Sequence, residues 1–262
     1  MVLRYTACMT WAGRRQLLTF SIIGAIVVAI VAVVLIATLY QSPTCTDGKQ
    51  NQSEEGIDCG GSCPYLCTAS VEAPTVLFTK ALPNGEGRTD IIAFVENKNA
   101  TAAAKAVSYT IALYGFDQTL IQSVSGTLDL PPLATMPIFL TGVASGRAAV
   151  GTAFLAIDPS AVSWYSLPGD PRILPTVLAT TLTGSTDSPR VTTSLTNPDV
   201  RPMSNIRIIA IVRDASGNAI AASQTLVSSI PPQGAATATF TWNAPFVGVP
   251  VSIQVIPVIP LP

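Results

Sequence analysis

The sequence predicts a mainly β protein in which an N-terminal transmembrane helix precedes two tandem β-sandwich domains. Three observations lead to this prediction: an uncharged apolar run near the N-terminus, short alternating segments rich in Thr, Val, Ile and Ala, and a repeat at a spacing of about 100 residues. The 262-residue chain has 21 Pro, 18 Gly and only 11% charged residues, a composition typical of short strands joined by tight turns.

The membrane anchor is predicted from residues 16–46, which contain no Asp, Glu, Lys or Arg over 31 positions. The apolar run 20–40 within them has 21 residues and would span roughly 31 Å as a helix, close to the hydrocarbon core of a bilayer. We therefore expect a single-pass protein of the cell membrane, with residues 1–19 before the helix and membrane lipid around it.

Charges on either side of the apolar run predict its orientation. Arg4, Arg14 and Arg15 precede it without an acidic residue. The segment that follows contains one base, Lys49, and the acids Asp47, Glu54, Glu55 and Asp58. By the positive-inside rule, the N-terminus with Cys8 is cytoplasmic and the chain after the anchor is extracytoplasmic. A cleaved signal peptide is the alternative, but its apolar core has only about 7–15 residues.

Composition narrows the function classes. The chain contains no histidine, which excludes histidine-based acid–base catalysis and histidine-ligated metal. From residue 69 onward, 10 basic and 11 acidic residues leave no basic surface for nucleic acid. A glycosidase would need a pair of carboxylates, and the candidates are Glu86 with Asp90 and Asp187 with Asp199. Both pairs lie in predicted loops, where solvated surface charge is the ordinary explanation. We expect neither an enzyme nor a nucleic-acid-binding protein.

A cysteine-rich collar, residues 41–68, follows the anchor. Its four cysteines lie within 23 residues, and we expect two disulfides in an oxidising compartment, with three possible pairings. These cysteines are Cys45, Cys59, Cys63 and Cys67. A zinc or iron–sulfur site is disfavoured because 13, 3 and 3 residues separate them, unlike the paired short spacings of structural metal sites.

The collar also contains oxygen ligands that suit calcium. Asp47, Asn51, Glu54 and Asp58 recur every three or four residues in a Gly-rich loop. Their spacing does not match an EF-hand, and a solvated acidic loop closed by disulfides needs no metal. We therefore expect no cofactor, with calcium as the alternative.

An internal duplication organises the rest of the chain. Three pairs of segments recur in the same order: 74–77 with 175–178, Asn97 with Asn197, and 130–132 with 230–232. They predict a first repeat at 69–159, a linker at 160–174 and a second repeat at 175–262, each folding separately.

Alternation predicts the strands and their core faces. In the first repeat, the inward positions of one strand are Val107, Tyr109, Ile111 and Leu113, and in the second they are Ile206, Ile208, Ala210 and Val212. Further strands are expected at 76–78, 91–95, 121–128, 138–140 and 153–157. Six or seven short strands in each repeat indicate an Ig-like β-sandwich without an Ig disulfide, since no cysteine follows Cys67.

Two motifs carry a resemblance to known families. The collar string D-G-x-x-N-x-x-E-x-G-x-D-C-G-G-x-C-x-x-x-C, residues 47–67, resembles a cysteine motif of bacterial surface proteins. Residues 113–117 (LYGFD) resemble the signature of small FxLYD modules, whereas 211–214 lack the Tyr. The stretch 10–160 is similar to single-pass envelope proteins of unknown function. The resemblance implies an extracytoplasmic sandwich and no catalytic residues.

Function is predicted from what these parts can do together. We expect a non-catalytic binding, adhesion or scaffold module with a protein or cell-surface partner, contacted through sheet edges or the loops 83–88 and 214–218. The alternatives are an accessory subunit of an envelope enzyme or transporter, or a solute-binding module. Trp164 and Tyr165 are expected to pack across the joint between the repeats, or else to form an exposed platform.

Overall fold

The computed structural model describes residues 11–39, 44–51, 53–85, 87–143 and 149–262. The predictions that involve Arg4, Cys8 and Glu86 lie outside these residues. Within these ranges the fold is mainly β, as predicted, with one apolar helix and four antiparallel sheets.

Helix α1 (Trp11–Leu39) begins nine residues before the predicted span 20–40 and contains that span as far as residue 39. By length and composition this helix is able to cross a membrane. Its apolar side chains remain exposed, because none of the described β elements packs on it. These features indicate a membrane anchor.

The first sandwich contains seven strands. They are β1 (Thr75–Pro83), β2 (Thr89–Asn97), β3 (Ala102–Gly115), β4 (Leu120–Leu130), β5 (Ala134–Val143), β6 (Val150–Ile157) and β7 (Trp164–Ser166). One sheet has the order β1-β2-β5, and the other has the order β4-β3-β6 with β7 also paired to β3. Each predicted strand of this repeat lies within an observed one.

The second sandwich contains six strands. They are β8 (Thr176–Ser185), β9 (Ser188–Thr196), β10 (Met203–Arg213), β11 (Ala219–Ile230), β12 (Ala235–Thr241) and β13 (Ser252–Val258). Its sheets have the orders β12-β9-β8 and β11-β10-β13.

Both predicted core faces are confirmed. The inward residues of β3 lie in one buried cluster with Ile91 and Ile138, and the inward residues of β10 lie in a second with Leu195 and Phe240. Each sandwich therefore has a core of its own.

A third buried cluster joins the two sandwiches, and the sequence analysis did not predict it. The outward faces of β1 and β2 contribute Leu82, Ile92 and Phe94. Ile209 and Ile211 meet them from the outward face of β10. The four sheets consequently stack as four layers, with this shared cluster as the middle interface.

The predicted linker is shorter than expected. Strand β7 pairs with β3, so residues up to Ser166 belong to the first sandwich. Trp164 is only 1% exposed and packs in the first core, so the prediction that it packs across the joint is wrong, and so is the exposed platform. The half-buried Tyr165 instead lies opposite Tyr65 of the collar.

Asn97 and Asn197 occupy matching places in the two sandwiches. The Nδ2 of Asn97 donates to the carbonyls of Ala102, Leu130 and Pro131 at 2.8, 3.3 and 2.8 Å. The Nδ2 of Asn197 donates to those of Arg201, Ile230 and Pro231 at 2.7, 3.3 and 3.1 Å. Both amides are buried and tie a strand end to the Pro-Pro loop.

Candidate binding face

The collar is closed by two disulfides, Cys45–Cys63 and Cys59–Cys67. Since all four cysteines are paired, none is a thiolate available for a metal. The collar docks on the first sandwich through Leu66, whose N–H donates to the carbonyl of Trp164 at 2.8 Å. The disulfides indicate an oxidising compartment.

The carboxylates proposed for calcium hold the collar backbone in place. Asp58 accepts the N–H groups of Asp47 and Gly48, and Glu54 accepts that of Asn51. A hydrogen bond from the Asn51 side chain lowers the pKa of Asp47. Glu54 Oε1 also lies 3.2 Å from Cys63 Sγ, but that sulfur is in a disulfide. These contacts occupy oxygens of the three carboxylates without an ion, whereas the buried Oδ1 of Asn51 has no hydrogen-bond partner within the described residues. Calcium stays the untested alternative to the expectation of no cofactor.

The two loops predicted to bind a partner lie at the same end of the molecule. Strands β1, β3 and β5 run away from the collar, which places their turns at the end that we call the distal end. The domains lie side by side, since a Cβ at Gly85 would be 3.1 Å from the Cβ of Ala244. The two domains are also joined at the collar end, where the N–H of Leu261, which follows the second sandwich, donates to Asp129 in β4 at 2.8 Å. The described residues of loop 83–88 and loop 214–218 thus lie at the same end of the molecule.

The β3–β4 turn presents an aromatic ring at the distal end. Asp117 accepts hydrogen bonds from the hydroxyl and N–H of Thr119 at 2.7 and 3.2 Å, and these bonds lower the pKa of Asp117. The turn is fixed by these contacts, and Phe116 between its strands is 82% exposed. Tyr114 and Phe154 continue the aromatic surface, with ring centroids 5.8 Å apart.

The β10–β11 turn of the second sandwich is built in the same way. Asp214 accepts the N–H groups of Ser216 and Asn218, each at 2.9 Å, and the hydrogen bond from Asn218 is the largest contribution lowering the pKa of Asp214. Gly217 has a φ of 80°, a conformation that glycine adopts without a steric cost. Two rigid turns, one from each sandwich, therefore frame the distal end.

An apolar loop between β12 and β13 completes this end, and sequence reasoning missed it. Val247, Val249 and Val251 are all exposed, while Phe246 packs on Trp242 with ring centroids 5.1 Å apart. A usable signal exists, because the 48 residues 215–262 contain no Asp, Glu, Lys or Arg. We call the exposed surface of Phe116 and these three valines the distal face.

Three of the four carboxylates considered for hydrolysis lie within the described residues, and Glu86 lies outside them. Asp90 is buried and accepts hydrogen bonds from Asn84 and the N–H of Gly142, so it stabilises the β1–β2 end of the fold. Asp187 and Asp199 lie at opposite ends of β9.

Comparisons with known proteins leave this chain without an assigned relative. No protein-family model and no curated protein sequence matches it. Among solved structures, it is similar to the crystal structure of red sea bream transglutaminase, with 16% identity and a TM-score of 0.25 over 71% of this chain. The chain spans 29% of that structure's length. A TM-score this low supports no inference about activity.

Proposed function

We propose that this protein is a membrane-anchored, non-catalytic binding module of the cell envelope. In this proposal α1 crosses the membrane with its N-terminus in the cytoplasm, and two tandem copies of one Ig-like module stand on the extracytoplasmic side. The equivalent bonds of Asn97 and Asn197 support the tandem, and the basic residues Arg14 and Arg15 support the orientation.

The observation that carries the proposal is that loops from both sandwiches expose apolar side chains at the distal end. Monomeric proteins rarely expose large contiguous apolar patches without a binding role. At the distal end, Phe116 and Phe154 line one apolar surface, and the three exposed valines of the β12–β13 loop form another. Here the exposed Phe116 and the valine loop lie on turns that are fixed by Asp117 and Trp242. A rigid apolar surface loses little entropy on binding, so it suits a protein partner with an apolar contact surface.

Site-specific photo-crosslinking in intact cells tests this function. We expect a photoreactive amino acid at Phe116 and one at Val249 to capture the same envelope protein. Thr237 is the matched control, because it is exposed on the outward face of β12, away from the distal end. Phe116→Asp should reduce capture from position 249 several-fold by introducing a charge that must be desolvated. Recovery of only the monomer from both positions would contradict the proposal.

A further inference from the structure

A cleft separates the two sandwiches on the collar side of the shared cluster. Strands β4 and β5 form one wall, and β10, β11 and the residues after β13 form the other. Its volume is about 470 Å³. Small-molecule sites usually have such volumes and often lie at domain interfaces.

Three polar side chains line this cleft with hydrogen-bonding capacity to spare. They belong to Tyr109 of β3 and to Asn205 and Arg207 of β10. Within the described residues, none of the three side chains makes a hydrogen bond or an ion pair. The ring of Tyr109 lies over Gly126, where a Cβ would be 2.4 Å from the hydroxyl oxygen. Burial raises the pKa of Tyr109 and the nearby charge of Arg207 lowers it, so the neutral hydroxyl is a donor at neutral pH.

The cleft lining contains one charge of each sign, on Arg207 and on Asp129. The one carboxylate in the lining, that of Asp129, already accepts the N–H groups of Ala106 and Leu261 at 2.9 and 2.8 Å. The guanidinium therefore remains the charged group available to a ligand, and arginine pairs well with carboxylate or phosphate.

An apolar wall continues from these polar groups. Leu226 lies opposite Arg207 in the β10–β11 register and is 62% exposed, an unusual state for a leucine that flanks a domain interface. Leu128, Leu140 and Val258 extend the same lining. A hydrocarbon chain against this wall would remove exposed apolar surface from water.

We propose that this cleft binds an anionic amphiphile, with its carboxylate or phosphate on Arg207, the Tyr109 hydroxyl and the Asn205 amide, and its hydrocarbon chain along the Leu226 wall. The site is separate from the distal face, so it goes beyond the binding function proposed above. The free acid and the headgroup of an anionic lipid share this chemistry.

Photoaffinity labelling of the full-length chain in phosphatidylcholine nanodiscs tests the proposal. The probe is decanoate that carries a diazirine on its chain, and mass spectrometry locates the label. We expect labelled cleft peptides from β5 and β11, and labelled α1 as an internal reference in the lipid. Because a hydrogen bond to a charged group is lost, Arg207→Ala should reduce cleft labelling relative to α1 by about tenfold or more. Arg190→Ala, an exposed arginine on the outer sheet, should leave this ratio unchanged.

Comparison probes separate the headgroup from the chain. The diazirine-bearing decanol should label α1 and leave the cleft nearly unlabelled. Unlabelled decanoate should compete if the free acid binds, and phosphatidylglycerol in the disc should compete if the lipid binds; either result supports the site. Equal cleft labelling by acid and alcohol, or labelling that neither competitor reduces, would overturn the proposal. The proposal would also be overturned if cleft labelling relative to α1 were unchanged both in Tyr109→Phe and in Arg207→Ala.

Discussion

The buried amide of Asn97 is the sharpest single test of how the sandwiches are held. Asn97→Ala removes a donor that has two hydrogens and three carbonyl partners. Two hydrogen bonds contribute about 1 kcal/mol each, and leaving a buried carbonyl unpaired costs roughly 1–3 kcal/mol more. We expect the free energy of unfolding of the first sandwich to fall by about 3–5 kcal/mol. For a unit of ~100 residues, the midpoint temperature would fall by roughly 15–25 °C.

The assay must read the two sandwiches separately. Hydrogen–deuterium exchange of the full-length chain does so, because peptides from β2 and β3 report the first core and peptides from β9 and β10 report the second. Asn97→Ala should accelerate exchange in the first set most strongly. Asn197→Ala should do the same in the second set, since its amide makes the equivalent bonds.

Two controls decide whether the amide hydrogens are the cause. Asn97→Asp keeps the shape of the side chain but replaces the donor with a carboxylate, so it should cost at least as much as alanine. Asn243→Ala changes an exposed asparagine and should stay within about 0.5 kcal/mol. Wild-type stability in Asn97→Asp, or a loss below 0.5 kcal/mol in Asn97→Ala, would refute the reasoning.

Three further predictions concern the ends of the sandwiches and the collar. A fragment of the first sandwich that ends at residue 159 should unfold under conditions where one extended through β7 stays folded, as circular dichroism would show, because the shorter fragment lacks the buried Trp164. Hydrogen bonds from Arg172 lower the pKa of Asp170 below the ordinary value of an aspartate, so the folded state binds fewer protons than the unfolded state as the pH falls. The contribution of Asp170 to the free energy of unfolding should therefore be complete above the pKa of the unfolded state and be lost as the pH falls through the lowered pKa of the folded state. Urea titrations at pH 6 and pH 3 should show a smaller loss of stability in Asp170→Asn than in the wild type. Thiol labelling of the unfolded, unreduced chain should modify Cys8 alone, and more than one reactive thiol would contradict the pairing.

Calorimetry gives a direct measurement for the collar. The oxygen atoms of Asp47 and Asp58 already accept backbone or side-chain hydrogens. We therefore expect no binding heat when millimolar calcium is added to the full-length chain. A saturable heat that Asp58→Asn abolishes would show that the ion displaces these hydrogen bonds.

Local alternation was enough to predict the strands and their inward faces. It succeeded in β3 and β10 because one face of each strand packs in a core that belongs to its own repeat. Alternation also contained a signal for the domain interface that was not used. Residues 208–212 (IIAIV) are apolar at every position, and a strand without polar positions is typically buried on both faces. Ile209 and Ile211 are indeed buried against the first sandwich.

Long-range pairing explains what the sequence could not predict. Trp164 lies in a Pro-rich segment, and composition alone indicated a linker there. Its burial depends on pairing with Ala104, which is 60 positions earlier in the chain. The distal face has the same origin, because Phe116 and the valine loop come from different repeats and lie at the same end of the molecule only when the two sandwiches dock side by side. No local pattern encodes that docking.

The side-by-side docking of the sandwiches fixes the reach of the molecule. The longest strand, β3, has 14 residues, and at about 3.3 Å per residue it measures roughly 46 Å. Two modules joined end to end would reach about twice as far above the collar, whereas the observed pair doubles in width and stays one module tall. Any partner of the distal face must therefore approach to within about 5 nm of the collar, and a second copy anchored in the same bilayer would present its own distal face at the same height.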